Sequence, residues 1–167
     1  MGRVKEGKGG LLGNAGEHYV VAELLRRDII ADRAPRNAPA IDVMATTGPK
    51  SVNVRVKTRS DQADSWVWIA KPDKTIFRNI HDKNDFTVLV HISGDNKSVG
   101  YWVIPTRILD TRLCQSHTRW ENAPGRNGRV RSKTNPMRRI GTSKDDQEWL
   151  NQYKGEKGWN LLLASLT

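Results

Sequence analysis

The chain is poor in the residues that build disulfides, zinc sites and membrane spans. Its 167 residues contain a single cysteine, Cys114, which excludes an intrachain disulfide and a cysteine-rich zinc site. No apolar run approaches the roughly 20 residues needed to cross a bilayer, and no apolar block of a secretory signal follows the first residues. We therefore expect a cytoplasmic protein that does not associate with membranes.

Groups suited to covalent or histidine-based catalysis are also sparse. The four histidines, His18, His81, His91 and His117, show no metal-ligand spacing. Cys114 has no evident base partner in the sequence, so catalysis by a cysteine nucleophile is not predicted.

Positive charge, by contrast, is in excess. Lysine and arginine number 28 against 18 aspartate and glutamate residues, which gives a formal net charge of +10. Such an excess on a small protein favours a polyanionic partner through phosphate contacts and counterion release. We expect nucleic acid, most readily DNA, as that partner, with a role in solubility as the alternative.

The length suits one domain, spanning residues 1–167. Glycines and lysines in residues 1–12 predict a flexible lead-in. Residues 120–142, rich in glycine, asparagine, proline and arginine, predict a long irregular basic segment.

Between and beyond these segments the patterns alternate between helix and strand. Helices are predicted from Asn14 to about Asp28, from Thr106 to about Leu113, and from Ser143 toward Tyr153. Strands are predicted at 40–45, 51–59, 65–70, 85–92 and 99–104. A helix, then strands, then helices predict an α/β protein.

The hairpin formed by the first two strands is the most informative feature. In the second strand valines alternate with polar residues, so Lys57 lies on a polar face, while Asp42 belongs to the first strand. Glu17 shares an apolar helix face, a costly position unless the acid is paired or binds a cation. Two acids that hold Mg²⁺ through oxygen, with a lysine that orients water or offsets charge, make a site for phosphodiester hydrolysis.

A purely structural role is open to each of the two acids. Asn14 and Glu17 have the spacing of a capping box, in which Glu17 bonds to the start of its own helix. A turn centred near Gly48 places Asp42 roughly opposite Arg55, which predicts a salt bridge across the hairpin.

The order of these motifs resembles the PD-(D/E)xK nuclease superfamily, which includes Holliday-junction resolvases and small endonucleases. The matching motifs are Gly16-Glu17, Ile41-Asp42 and Arg55-Val56-Lys57, and the similarity covers about residues 12–113 and the C-terminal tail. The resemblance implies an α/β, restriction-endonuclease-like core with a mixed β-sheet flanked by helices. It also implies a DNA endonuclease in which Glu17 and Asp42 hold Mg²⁺ or Mn²⁺ and Lys57 orients water. A homodimer is left open.

Arg55 departs from the family motif, because relatives carry Glu or Gln at this position. A fixed cation there disfavours a nearby metal ion. Three alternatives stay open: Arg55 swings away to a phosphate, the two acids suffice with a backbone carbonyl, or catalysis has been lost. We therefore carry two hypotheses, an endonuclease in which Arg55 contacts the scissile or an adjacent phosphate, and a catalytically impaired nucleic-acid-binding module of the same fold.

The basic segment 120–142 supplies a candidate surface for nucleic acid. A flexible cationic loop beside such a core predicts a clamp on a phosphate backbone, with a solvated loop as the alternative. The residues assigned to this contact are Arg126, Arg129, Arg131, Lys133, Arg138 and Arg139.

Overall fold

A computed structural model describes residues 3–35, 37–38, 40–78, 80 and 83–167. A long first helix precedes most of the strands, and shorter helices follow them along the chain. The helices are α1 (Arg3–Leu25), α2 (Thr106–Asn122), α3 (Lys144–Leu150) and α4 (Glu156–Ala164). The strands are β1 (Ile30–Arg33), β2 (Val43–Thr46), β3 (Ser51–Ser60), β4 (Trp66–Ile69), β5 (Asp85–Ile92), β6 (Val99–Pro105) and β7 (Met137–Ile140).

Five of these strands form a single mixed sheet in the order β1-β2-β3-β5-β6. Strands β3 and β5 run parallel, and the other neighbours run antiparallel. Strands β4 and β7 form a separate antiparallel pair. The predicted fold class, an α/β protein with a mixed sheet flanked by helices, is confirmed.

The alternation of side chains in β3 divides the large sheet into two faces. On one side, Val52, Val54 and Val56 pack into a core covered by α1 and α4, and we call this side the α1 face. On the opposite side lie Arg55, Lys57 and Arg59, and we call this side the Lys57 face. Burial of the valines fixes the register, because a slip by one residue would exchange the two sets.

The Lys57 face is covered over only part of its width. Over β5 and β6, Leu89 packs with Leu109 of α2 and Ile140 of β7 in a second buried cluster. Over β1 and β2, the side chains of Ile30 and Met44 are 67 % and 53 % exposed. Strand β3 therefore lies at the boundary between the covered half of the Lys57 face and its open half.

Several element boundaries differ from the sequence predictions. Helix α1 begins at Arg3 rather than near Asn14. Its later turns pack against the sheet, and once a helix has formed, adding residues at its N-terminal end costs little free energy. Met1 and Gly2, also part of the predicted lead-in, lie outside the described residues. Strand β1 was not predicted, and α2 continues to Asn122 instead of ending near Leu113.

The segment 120–142 is not irregular throughout. It contains the end of α2, a 3₁₀ turn at Arg126–Gly128 and strand β7. Strand β7 pairs with β4 in a register that sets Trp66 opposite Ile140. Local composition could not predict this strand, because its partner lies far away in the sequence.

Candidate functional site

The candidate site lies just before the first residue of β2, where one edge of β3 has no strand partner among the described residues. Strands β2 and β3 pair only as far as Val43 opposite Val54. The preceding residue, Asp42, donates its backbone N–H to Val54 O (3.0 Å), and its Oδ2 accepts from the N–H of Val56 (2.7 Å). Asp42 Oδ1 receives no hydrogen bond from the residues that the structure describes. A carboxylate is thus held at the open edge, and within the described part of the chain only one of its two oxygens has a partner.

Lys57 extends from the same part of β3 onto the Lys57 face. Its ammonium lies 5.7 Å from the centre of the Trp68 ring, and it forms no salt bridge with any described residue. Burial lowers the pKa of Lys57, and the negative charge of Asp42 raises this pKa in part. A half-buried lysine with a lowered pKa and free donors is typical of functional sites, whereas a structural lysine is usually paired or solvated.

Arg55 is paired with Asp85 of β5 rather than with Asp42. Its Nε and Nη2 donate to the Asp85 carboxylate at 2.9 and 2.7 Å, and Nη2 also donates to Arg78 O at 2.8 Å. The predicted Asp42–Arg55 salt bridge is therefore wrong, because β5 presents a buried acid on the other side of β3. The negative charge of Asp85 also offsets the cation, so Arg55 adds little net positive potential at Asp42.

The Arg55–Asp85 pair belongs to a buried polar network. Arg55 is 8 % exposed and Asp85 is 4 % exposed. Thr106, the first residue of α2, donates its hydroxyl to Asp85 Oδ1 at 2.5 Å, and Thr87 contacts the same hydroxyl at 2.9 Å. Arg55 thus holds β3, β5 and α2 together instead of facing the open edge.

Glu17 is half-buried on α1 and pairs with Arg33 at the end of β1. Arg33 Nε donates to Glu17 Oε2 (2.7 Å), and Arg33 Nη2 donates to Asn14 Oδ1 (3.2 Å). The predicted capping box is wrong, because Asn14 lies inside α1 and caps nothing. Arg33 instead ties both polar side chains of the helix to the sheet.

A close contact between α1 and β3 sets the position of Glu17. A Cβ added to the adjacent Gly16 would lie 1.8 Å from Thr58 Oγ1, so only glycine allows the helix to approach this closely. Asp42 bonds to Val56, two residues before Thr58. Gly16 and Asp42 therefore both contact the same short stretch of β3, residues 56–58, and Glu17 follows Gly16 in α1.

The same residues are candidate ligands for a hard divalent cation. The described residues contain no group of three or more Asp, Glu, His or Cys side chains placed to hold a metal ion. Mg²⁺, however, is usually bound through one or two carboxylates, with waters and substrate phosphates completing its shell. Asp42, with one free oxygen, fits this mode, and Glu17 fits it if its carboxylate exchanges Arg33 for the ion.

The predicted phosphate contacts divide into exposed and structural arginines. Arg126, Arg129 and Lys133 are exposed. Arg131 lies 4.6 Å from the centre of the Trp120 ring and donates to Ala123 O (3.1 Å), so it folds the loop.

Arg138 and Arg139, which are adjacent in β7, point to opposite sides. Arg138 is 6 % exposed and its Nη1 donates to Asn135 O (2.8 Å) and Met137 O (3.2 Å). Its assignment to a phosphate contact is wrong, because the guanidinium is buried against the protein. Arg139 is exposed, opposite Val67 of β4.

Sequence analysis missed three residues at this site: Arg33, Trp68 and Asp85. Arg33 and Asp85 pair with residues 16 and 30 positions away, and such contacts depend on the tertiary fold. A signal did exist for Asp85, because it opens a strand whose next five residues are all buried. An acid in that position needs a partner.

No protein-family model matches the chain, and no curated protein matches it. Among solved structures, the fold is similar to that of a bacterial homing endonuclease, I-Ssp6803I, with a TM-score of 0.51 and 12 % sequence identity. The similarity covers 93 % of this chain and 92 % of that chain. At this identity the comparison shows the fold, which is that of a known nuclease, and the superfamily assignment stays a prediction. Across the described ranges, no helix combines the length and apolar character of a membrane span.

Proposed function

We propose that the protein is a metal-dependent endonuclease that acts on DNA, with Asp42 and Lys57 at its reacting centre. One observation carries the proposal: Asp42, whose Oδ1 has no hydrogen-bond partner among the described residues, and the half-buried Lys57, which has no salt bridge among them, lie together at the open edge of β3. The fold shared with a homing endonuclease and the net charge of +10 support DNA as the substrate.

In this mechanism Asp42 would hold Mg²⁺ or Mn²⁺, with Glu17 as a second ligand once its carboxylate leaves Arg33. When bound, such an ion offsets phosphate charge and lowers the pKa of water. Lys57 donates hydrogen bonds to the attacking water or to a phosphate oxygen and offsets the developing charge. Trp68 covers one side of the ammonium and excludes water there, which strengthens its electrostatic interaction. Arg55 supports the strand that carries Lys57 and has no assigned contact with the phosphate.

The second candidate function is a binding module of the same fold that grips DNA without cutting it. The pairing of Glu17 with Arg33 favours this alternative, because the second metal ligand is already occupied. The exposed arginines at 126 and 129 would serve either function equally. Binding alone therefore does not distinguish the two candidates.

A cleavage assay separates them. The protein is incubated with supercoiled, branched and single-stranded DNA in Mg²⁺ or Mn²⁺, alongside Asp42→Asn and Lys57→Met. The endonuclease proposal predicts products that depend on metal and disappear in both variants. Lys50→Met, an exposed lysine in the turn before β3, is the matched control and should cut as the wild type does.

Other outcomes select the alternative or reject both candidates. DNA retained at low salt but never cut, with either metal, supports the binding module. A chain that retains no DNA even at low salt has neither function. Cleavage that persists in Lys57→Met would show that a different group does the chemistry.

A further inference from the structure

The two-stranded sheet of β4 and β7, which we call the ribbon, turns one face outward. Its antiparallel register sets Val67 opposite Arg139 and Ile69 opposite Met137. These four side chains share a face, because alternate residues of a strand point to the same side. The opposite face, which includes Trp66 and Ile140, packs into the core of the Lys57 face.

The outer face is unusually apolar for an exposed ribbon. Ile69 is 64 % exposed and Met137 is 36 % exposed, and they form a directly opposed pair. Arg139 lies beside them, with Nη2 2.8 Å from the sulfur of Met137. Large apolar side chains in a sheet normally find cover, so this face is suited to a partner that offers both apolar and hydrogen-bonding groups.

The β7 side of the ribbon is cationic. No acidic residue occurs between positions 122 and 144, the stretch that contains β7. Arg126, Arg129 and Lys133 are exposed just before β7, whereas the β4 side carries exposed charges of both signs, Asp64, Asp73 and Lys74. A partner that covers the apolar pair therefore also meets positive charge, which favours a polyanion.

A groove runs along one side of the ribbon. It is a cavity of about 660 Å³ lined by Met137 and Arg139 of β7, by Arg119 and Trp120 of α2, and by Asp145 and Asp146 of α3. Asp145 pairs with Arg119 at 3.2 Å, and Arg112 pairs with both acids. The groove gives an extended strand a place beside the ribbon, and Arg139 is the cation there that has no acidic partner among the described residues.

We propose that the outer face of the ribbon enters the major groove of duplex DNA and reads base edges there. The major groove, about 12 Å wide, admits a two-stranded β-ribbon. Ile69 and Met137 then contact the C5-methyl of thymine, and Arg139 donates two hydrogen bonds to guanine. One phosphate backbone lies in the adjoining groove. The inference rests on the proposed function only for DNA binding, and not for cleavage.

The ribbon covers part of the Lys57 face. Trp68, on its inner face, is the residue whose ring lies 5.7 Å from the Lys57 ammonium. A duplex on the outer face is therefore separated from Lys57 by the thickness of the ribbon, so the proposed base contacts are distinct from the candidate reacting centre. Duplex RNA does not suit the ribbon, because its major groove is deep and too narrow for side chains to read.

The test is a binding selection from a library of random-sequence duplex DNA, performed in EDTA so that cleavage plays no part. Wild-type protein should enrich a motif that contains guanine and thymine positions. Arg139→Ala should lose the preference for one guanine, a loss of about 5- to 150-fold. Arg126→Ala is the matched control, and it should weaken binding to all sequences while leaving the motif unchanged.

A second measurement isolates the methyl contact. Replacing thymine by uracil in the selected duplex should weaken wild-type binding roughly fourfold, the value of one buried methyl group. Ile69→Ala should bind the two duplexes equally. Thymine and uracil pair identically, so a merely structural role for Ile69 would leave the difference in place.

Three outcomes would overturn the inference. The first is DNA retained with no enriched motif, or with a motif that Ile69→Ala and Arg139→Ala both keep; the proposed function then stands without the ribbon's role. The second is duplex RNA that competes as well as duplex DNA. The third is a dimer, seen by light scattering, that Ile69→Ala separates, which would make this face an interface between copies. Absence of any DNA retention rejects both the inference and the proposed function.

Discussion

Strand β3 presents valine to one face of the sheet and arginine or lysine to the other, and the neighbours of these side chains differ between the two faces. On the α1 face, Val52 and Val54 are buried and need only apolar neighbours. On the Lys57 face, Arg55 needs the buried carboxylate of Asp85, and Lys57 lies half-buried with no salt bridge to any residue that the structure describes. The α1 face stabilises the fold, and the Lys57 face keeps charges in places where burial disfavours them.

The difference points to function on the Lys57 face. A protein gains nothing in stability from a desolvated lysine without a partner. Arg59 is also partly desolvated, since burial lowers its pKa, but it has partners: its Nη1 donates to Ala63 O at 2.6 Å, and its guanidinium lies 4.2 Å from the centre of the Trp66 ring. A half-buried lysine with no salt bridge among the described residues is the kind of group that clusters at functional sites, and Lys57 lies on the strand at the boundary between the open and covered halves.

The largest expected change in stability comes from breaking the Arg55–Asp85 ion pair on the Lys57 face. Arg55→Met should leave Asp85 buried without its cation and lower the free energy of unfolding by about 3–5 kcal/mol. Urea denaturation measures the loss. The double variant Arg55→Met/Asp85→Asn should recover much of it, because the unpaired charge is removed. A loss below about 1 kcal/mol would show that the pair does not hold the strands.

A smaller change in stability is expected on the α1 face, where the variants test the close packing of α1 against β3 rather than an ion pair. Gly16→Ala should destabilise the protein by about 1–3 kcal/mol, because the added methyl group meets Thr58 of β3. Gly13→Ala is the matched control on the same helix, with nothing within 4 Å of its added Cβ. It should stabilise the protein by about 0.5–1 kcal/mol. Equal thermal shifts in the two variants would contradict the close approach of α1.

A third prediction concerns the loss of folding stability caused by burying the charged Lys57 side chain. A lysine whose pKa is lowered by folding disfavours its own charged form, so stability rises with pH from the lowered folded pKa to the ordinary unfolded one. Lys57→Met should therefore be more stable than the wild type at pH 7, by about 0.5–2 kcal/mol. The gain should shrink as the pH rises through that window. Denaturation curves at several pH values check this.

The control for Lys57 is Lys50, which is exposed in the turn before β3. Lys50→Met should change the free energy of unfolding by less than about 0.5 kcal/mol. If Lys57→Met is no more stable than Lys50→Met at pH 7, then burial of the ammonium has no measurable cost.

The smallest expected change in stability belongs to the exposed basic segment. Arg126→Ala should leave the free energy of unfolding within about 0.5 kcal/mol of the wild type. It should reduce the dependence of DNA binding on salt by about one counterion. Arg138→Ala is the contrast, because loss of its buried hydrogen bonds should cost stability. Filter binding at several salt concentrations, with thermal melting, measures both.

Local patterns in the sequence were enough to predict the fold class and to place Asp42 and Lys57 in one hairpin, while their role in catalysis stays a prediction. The strict alternation in β3 reports directly which residues are buried, and both site residues lie within one hairpin. The capping box at Asn14 failed because its spacing also occurs inside a longer helix. Strand β7 was missed because a short strand forms only when its distant partner β4 is in place.

Arg55 shows why the site could not be completed from sequence. The hairpin register places it near Asp42, and a local argument stops there. Its true partner, Asp85, comes from the parallel neighbour β5, which is reached only after a further strand, β4, and a long connection. Parallel pairing has no short-range signal, since its crossover connection is long. The positive charge of Arg55, which is unfavourable for metal binding at this motif position, is thus offset by Asp85, a residue outside the motif.

The central claim is that Lys57 serves chemistry rather than structure. Single-turnover cleavage of one duplex by the wild type and by Lys57→Met, with DNA retention measured in parallel, tests it most directly. We predict that the variant retains DNA within about threefold of the wild type but cuts it about 10²- to 10⁴-fold more slowly, the range typical of a catalytic side chain that transfers a proton or stabilises charge. Equal cleavage rates for the two proteins would contradict the account.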